Sequence, residues 1–226
     1  MIPVKVLAVQ YLANASPSLC RALGTPEDKP SLGFLTTDSD DPTYIALDEA
    51  TKAAEVQVCY GRSFYAGAGN ATTPYAGEVI GILCGATPGA VRSGMEAALR
   101  ALERVGFEDA EGVPVLAHTV SRTGSFLAGE AGVPEGTALA YLIAPPLEAM
   151  FAMDAALKAA DVRLCKLYTP PTETNFGGGL LSGSQSACAA ACEAFRHAVT
   201  QAARQARSMG SAETEIPGGS RKGASI

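Results

Sequence analysis

The stretch DEATKAAEVQVC (48–59) returns about a hundred residues later as DAALKAADVRLC (154–165), and that return decides the fold. Outward from it, VLA (6–8) recurs as VLA (115–117), and LGTPE (23–27) as AGVPE (131–135). A recurrence kept in register over this length marks a duplicated unit, because chance similarity does not hold its spacing. The chain of 226 residues then divides into two like halves, each long enough to bury a core of its own. Two similar lobes in one chain make a pseudo-symmetric block, which points to assembly before it points to catalysis.

Each half reads as the same series of elements. Residues 4–11 and 115–120 alternate like strands. Each leads into a short helix, opened by Ser16-Pro17 in the first half and Thr123-Gly124-Ser125 in the second. Strands are expected at 32–36 and 139–143, helices at 45–54 and 148–160, and strands at 55–60 and 161–167. A second hairpin strand ends near Gly85 and near Gly183. Each half closes with its longest helix, whose apolar face is Val91, Met95, Ala98, Leu102 and Val105 in the first and Cys188, Cys192, Phe195, Val199 and Ala202 in the second. Strands and helices mixed in this way describe an α+β fold, a tandem pair of ferredoxin-like α/β sandwiches. The domains are expected at 1–110 and 111–207. The small, polar and aperiodic residues 208–226 are expected to form a flexible tail.

Composition excludes several classes. The net charge of −6 and the lack of a basic stripe argue against nucleic acid as a partner. No run reaches the roughly 18 apolar residues that a membrane span requires, and the start MIPVK has no signal-peptide pattern. The six cysteines form no CxxC pair, which suits buried thiols in a reducing cytoplasm. The two histidines, His118 and His197, have no partner at a diagnostic spacing and read as structural. Nucleophile elbow, phosphate loop and metal-ligand cluster are all missing, so no enzyme activity, metal or cofactor is expected.

Two features stand out from the repeat. The run DSDDP (38–42) is acidic, whereas the second half carries APPL (144–147) at that place. As an isolated motif it reads equally as an Asx turn before proline or as a carboxylate cluster suited to a small cation. The second feature is loop length. Residues 61–77 and 168–178 are longer than a tight hairpin needs and fall at equivalent places in both halves, where they can line or block a channel.

DAALKAADV (154–162) resembles the D-x-x-x-K-A-A-x-V signature of bacterial microcompartment shell proteins (the BMC domain), and residues 48–56 repeat it. In single-domain members the signature follows the first strand, and the chain ends after the strand resembled here by 115–122. This chain begins with that strand instead, so its order resembles a circular permutation. TTDSDDPTYIALDEATK (36–52), YGRSFYAGA (60–68), HTVSRTGSFL (118–127), YLIAPPLEAMF (141–151) and TETNFGGGLLSGSQSACAAAC (172–192) are similar to the tandem, trimeric members from ethanolamine-utilisation compartments.

The resemblance implies a non-enzymatic homotrimer that forms a pseudohexagonal tile in a cytoplasmic microcompartment shell, beside other shell proteins. Lys52 and Lys158 match the family's edge lysine, which lies along the neighbouring tile. Arg62, Phe64, Tyr65, Asn70, Asn175 and Phe176 fall in the loops that would gate a central pore. Asp40, Asp41, Glu78 and Phe107 match a small-pore site for ethanolamine, where carboxylates and an aromatic face suit an ammonium. The alternatives are a soluble amine-binding regulator built from the same tandem domains, and an enzyme using cysteine or the acid cluster.

Overall fold

Alternating apolar residues give each half its sheet, and the 3.6-residue period of its two longer helices gives the face that covers it. A computed structural model describes residues 1–64 and 77–205. The first half runs β1 (Val6–Leu12), α1 (Pro17–Leu23), β2 (Ser31–Thr37), α2 (Asp40–Ala53), β3 (Val56–Ser63), β4 (Val79–Gly85) and α3 (Pro88–Leu102). After β5 (Glu108–Ala110), the second half repeats the series. It runs β6 (Val113–Val120), α4 (Ser125–Ala131), β7 (Ala138–Ala144), α5 (Pro146–Ala159), β8 (Val162–Tyr168), β9 (Gly177–Gly183) and α6 (Gln185–Arg204).

All strand pairs are antiparallel. The first sheet has the order β1-β2-β4-β3 and the second β5-β6-β7-β9-β8, so the two share one topology apart from the added edge strand β5. Register proves the repeat at single-residue resolution. Phe34 on β2 faces Ile82 on β4, while Tyr141 on β7 faces Leu180 on β9. Even the irregularity recurs, for β3 shifts register between Val58 and Tyr60 and β8 between Leu164 and Lys166.

Each sheet buries one face under its two longer helices. Leu35, Leu47, Leu83 and Met95 fill that layer in the first lobe, and Leu142, Leu181, Met153 and Phe195 in the second. Small residues permit the close approach: a Cβ on Gly81 would meet Leu47 Cδ1 at 2.5 Å.

Two local expectations need correction, and the histidines fall on the strand and the last helix where they were expected. The helix expected from residue 45 begins at Asp40, because the acidic run opens it and does not form a separate turn. Carboxylates are favoured in a first turn, where free amides and the helix dipole meet them. The helix expected to reach Val105 stops at Leu102, and Val105 packs in a cluster with second-lobe residues instead. His197 is exposed on α6, whereas His118 is partly buried on β6 and its pKa is lowered, mainly by burial.

Candidate functional site

The acidic start of α2 is held at the seam between the lobes. Ser39 occupies the N-cap without a side-chain cap bond of its own. Thr37 Oγ1 accepts the Ser39 amide at 3.2 Å and pairs with Thr43 Oγ1 at 2.7 Å, which ties the helix start to the end of β2. Asp40 and Asp41 are consequently fixed, and both are buried.

The two carboxylates meet different partners. Asp40 Oδ2 accepts from Ser63 Oγ at 2.8 Å, and Ser63 Oγ lies 2.6 Å from the Tyr44 hydroxyl. Asp41 Oδ1 accepts from the Tyr141 hydroxyl at 2.8 Å, a bond that crosses from one lobe to the other. Burial raises the pKa of both acids, and for Asp41, pushed well above the ordinary carboxylate value, the charge of Asp40 adds to it. Glu78 is pushed up to about 7, first by burial and then by Asp40 and Asp38. Carboxylates crowded in this way hold protons tightly, and a cation placed among them relieves both desolvation and repulsion.

Two adjoining clefts open on these groups. One, of about 190 Å³, is lined by Asp40, Asp41, Tyr44, Arg62, Tyr141 and Lys166 among others. The other, of about 150 Å³, is lined by Asp40, Glu78, Phe107, Glu173, Thr174, Asn175 and Phe176. Both are smaller than the roughly 300 Å³ at which drug-sized pockets begin, so they suit a ligand of a few heavy atoms.

The structure thus gathers Asp40, Glu78 and Phe107 around one cleft, with Asp41 beside Asp40 in the other. Backbone bonds fix the outlying members. The Glu78 amide donates to Thr37 O at 2.8 Å, and the Ile2 amide to Phe107 O at 2.6 Å. The Phe107 ring lies 5.6 Å from that of Phe176. Asn175 and Phe176, expected at a central pore, therefore stand on the same cleft as the acids. Arg62 lines the other cleft, and Phe64 is exposed past the end of β3. Tyr65 and Asn70 lie outside the described residues, as does the tail 208–226.

Ser63, Tyr141, Glu173 and Thr174 were missed by sequence reasoning. Glu173 alone carried a usable signal, as an acid in a long loop already under suspicion. Among the described residues no group of three or more His, Cys, Asp or Glu is placed to hold a metal ion. All six cysteines are free.

The two lysines of the signature differ in setting. Lys52 is 19% exposed, pairs with Glu49 and Asp48, and donates to Arg122 O of the second lobe at 2.9 Å. Lys158 is 75% exposed and pairs with Asp154 at 2.7 Å.

Comparison with known proteins accounts for this arrangement. Residues 31–117 match the BMC domain family. That match begins at β2 and ends inside β6, so it takes its last strand from the second repeat. The register is the one a circularly permuted pair would give. The solved structure of the ethanolamine utilization protein EutL from Leptotrichia buccalis superposes with a TM-score of 0.90 at 55% identity, covering 92% of this chain and 97% of that one. EtuB from Clostridium kluyveri, at 24% identity and a TM-score of 0.73, shares the fold over 87% of each chain. The bacterial microcompartment shell protein EutL of Salmonella typhimurium is 50% identical over 90% of this chain and 95% of its own length. Its counterpart from Clostridium perfringens is 58% identical with the same coverage. With nine-tenths of its length aligned at that level, this chain belongs to the EutL family of bacterial microcompartment shell proteins.

Proposed function

We propose that the chain is a structural tile of an ethanolamine-utilisation microcompartment shell, where it assembles as a homotrimer beside other shell proteins. Its domains divide near residue 110 (1–110 and 111–207), and three copies supply six lobes to a pseudohexagonal plate. The family is structural and not catalytic. Lateral contact between tiles is assigned to Lys52 and Lys158, of which Lys158 is the more exposed.

The same reading gives the acidic clefts an ammonium-bearing ligand, ethanolamine. The observation that carries it is the meeting of Asp40, Glu78 and Phe107 with Asn175 and Phe176 around one small cleft. Carboxylates pair with the ammonium, and the ring offers its face to the same charge. Because the 168–178 loop shares the cleft, ligand held there favours one arrangement of the loop over another, which is the coupling a gate requires. Arg62, Phe64, Tyr65 and Asn70 are assigned to the facing loop.

Calorimetric titration of ethanolamine into the wild type and Asp40→Ala tests the site. Binding to the wild type and a loss of at least tenfold in the variant are expected. Equal affinities would remove it.

A further inference from the structure

The first sheet carries two thiols on the face turned away from its two longer helices. Cys84, near the end of β4, is buried in a cluster with Cys20, Leu32 and Ile82, and Cys59 of β3 packs half-buried against it. Cys59 is the extra residue of the β3 bulge. The ladder pairs Gln57 with Cys84, Val58 with Leu83 and Tyr60 with Ile82, and passes over Cys59. The Cys59 thiol donates to Ile82 O at 3.4 Å, so its side chain leans over β4.

The repeat measures how closely such a pair meets. Strand β8 has the same bulge at Cys165, and Ser182 on β9 pairs with Arg163 as Cys84 pairs with Gln57. Cys165 and Ser182 therefore stand where Cys59 and Cys84 stand. There the Cys165 thiol donates to the Ser182 hydroxyl at 3.1 Å. Side chains at these two places touch, and only the first lobe puts sulfur at both. A disulfide bond is roughly 2.05 Å long, so closure from such a contact takes a movement of about an ångström.

The surroundings suit the chemistry. Contact with Cys59 lowers the pKa of Cys84 against the effect of burial, and the Lys29 charge lowers it further. A thiolate is the nucleophile in disulfide formation, and Cys84 is the sulfur placed to supply it.

We infer that Cys59 and Cys84 form an oxidative modification site, a dithiol that a peroxide converts to a disulfide bridging β3 and β4. The more accessible sulfur, Cys59, reacts first. Its S–O bond forms as the O–O bond breaks, and the thiol proton leaves with the departing hydroxide as water. Cys84 then attacks Cys59 Sγ, the S–S bond forms, and the S–O bond breaks. The released hydroxide takes the Cys84 proton and leaves as a second water. Both sulfurs are oxidised by one electron each, and the peroxide is reduced by two. The bridge ties together the strands that lead to Ser63 and Glu78, whose ends are already joined by the Phe64 amide bonding to Glu78 O at 2.7 Å. It is a staple under the acidic clefts, and it rests on neither the trimer nor the ethanolamine reading.

Hydrogen peroxide on the full chain tests it. Alkylation after unfolding should count four thiols in the oxidised protein where the reduced one has six, and peptide mapping should join Cys59 to Cys84. Dithiothreitol should restore all six. Oxidation should raise the urea midpoint, because the closed loop restricts the unfolded chain. Cys84→Ser copies the second-lobe pair and should lose no thiols to a disulfide while keeping the wild-type circular dichroism. Ser182→Cys writes the first-lobe pair into the second lobe and should lose four thiols in place of two. A wild type that keeps six thiols, or a bridge that maps to Cys20 or to a second chain, would overturn the site. A Ser182→Cys protein that loses only two would overturn the argument from the repeat, and an unchanged urea midpoint would overturn the staple.

Discussion

The two signature helices share their sequence pattern and little of their environment. In α2, Asp48 is fully buried, and its two carboxylate oxygens accept the Gly124 and Leu127 amides at 2.8 Å each, at the start of α4. In α5, the equivalent Asp154 is 64% exposed and bonds only to Lys158 among the described residues. One motif therefore does two jobs within a single chain. The difference teaches that the signature encodes a docking face, and that its contribution depends on whether another lobe covers it.

The largest effect should come from breaking the covered copy. Asp48→Ala leaves two amides and the Lys52 ammonium without their shared acceptor, and should destabilise by about 3–5 kcal/mol. Asp154→Ala, tested on the dissociated protomer, removes an exposed helix pair and should change stability by about 0.5 kcal/mol or less. Urea unfolding of both variants decides. Similar values would mean that the two copies do not differ as their burial implies.

Next in size is Gly124→Ala. An added Cβ would lie 2.1 Å from Thr51 Oγ1 and 2.7 Å from the Asp48 carbonyl oxygen, so the lobes must separate. A loss of about 1–3 kcal/mol is expected from such overpacking. Gly129 lies in the middle of the same helix, and nothing comes within 4 Å of its ideal Cβ. Gly129→Ala should therefore raise stability by about 0.5–1 kcal/mol through helix propensity. Thermal melts of the pair sharpen the comparison, because the same substitution is expected to change sign between two glycines at the start and in the middle of one short helix.

The repeat and the strands were legible because alternation and helical periodicity are local, and each was written twice. The seam was not. Asp48 reads as one more helix carboxylate until the fold brings Gly124 and Leu127 against it. Asp40 and Asp41 were noticed only because the second half lacks them, and their helix start was masked by a proline that also suits a turn. Tyr141 gave no signal at all: it sits in an apolar strand like any core aromatic, and only its hydroxyl bond to Asp41 reveals its place. Contacts between lobes join residues far apart in sequence, and no short-range pattern records them.

The last comparison separates the acidic lobe start from its apolar counterpart by pH. Glu78 has a pKa of about 7 in the fold, above its ordinary value, so the proton it gains on acidification is held more tightly by the folded state. Its contribution to stability is complete below the ordinary glutamate pKa and is lost as pH rises through about 7. Asp40 and Asp41 are raised as well and act in the same direction. Ligand binding runs the opposite way, because an ammonium needs the ionised carboxylates. Ethanolamine affinity should rise about tenfold between pH 6 and pH 8 in the wild type, and should vary much less in Glu78→Gln. The unliganded Glu78→Gln protein should melt higher than the wild type at pH 8, with the gap closing by pH 5. A wild-type affinity that is flat across this range would mean that Glu78 does not face the ligand, and would leave the acid pair of α2 as its only anchor.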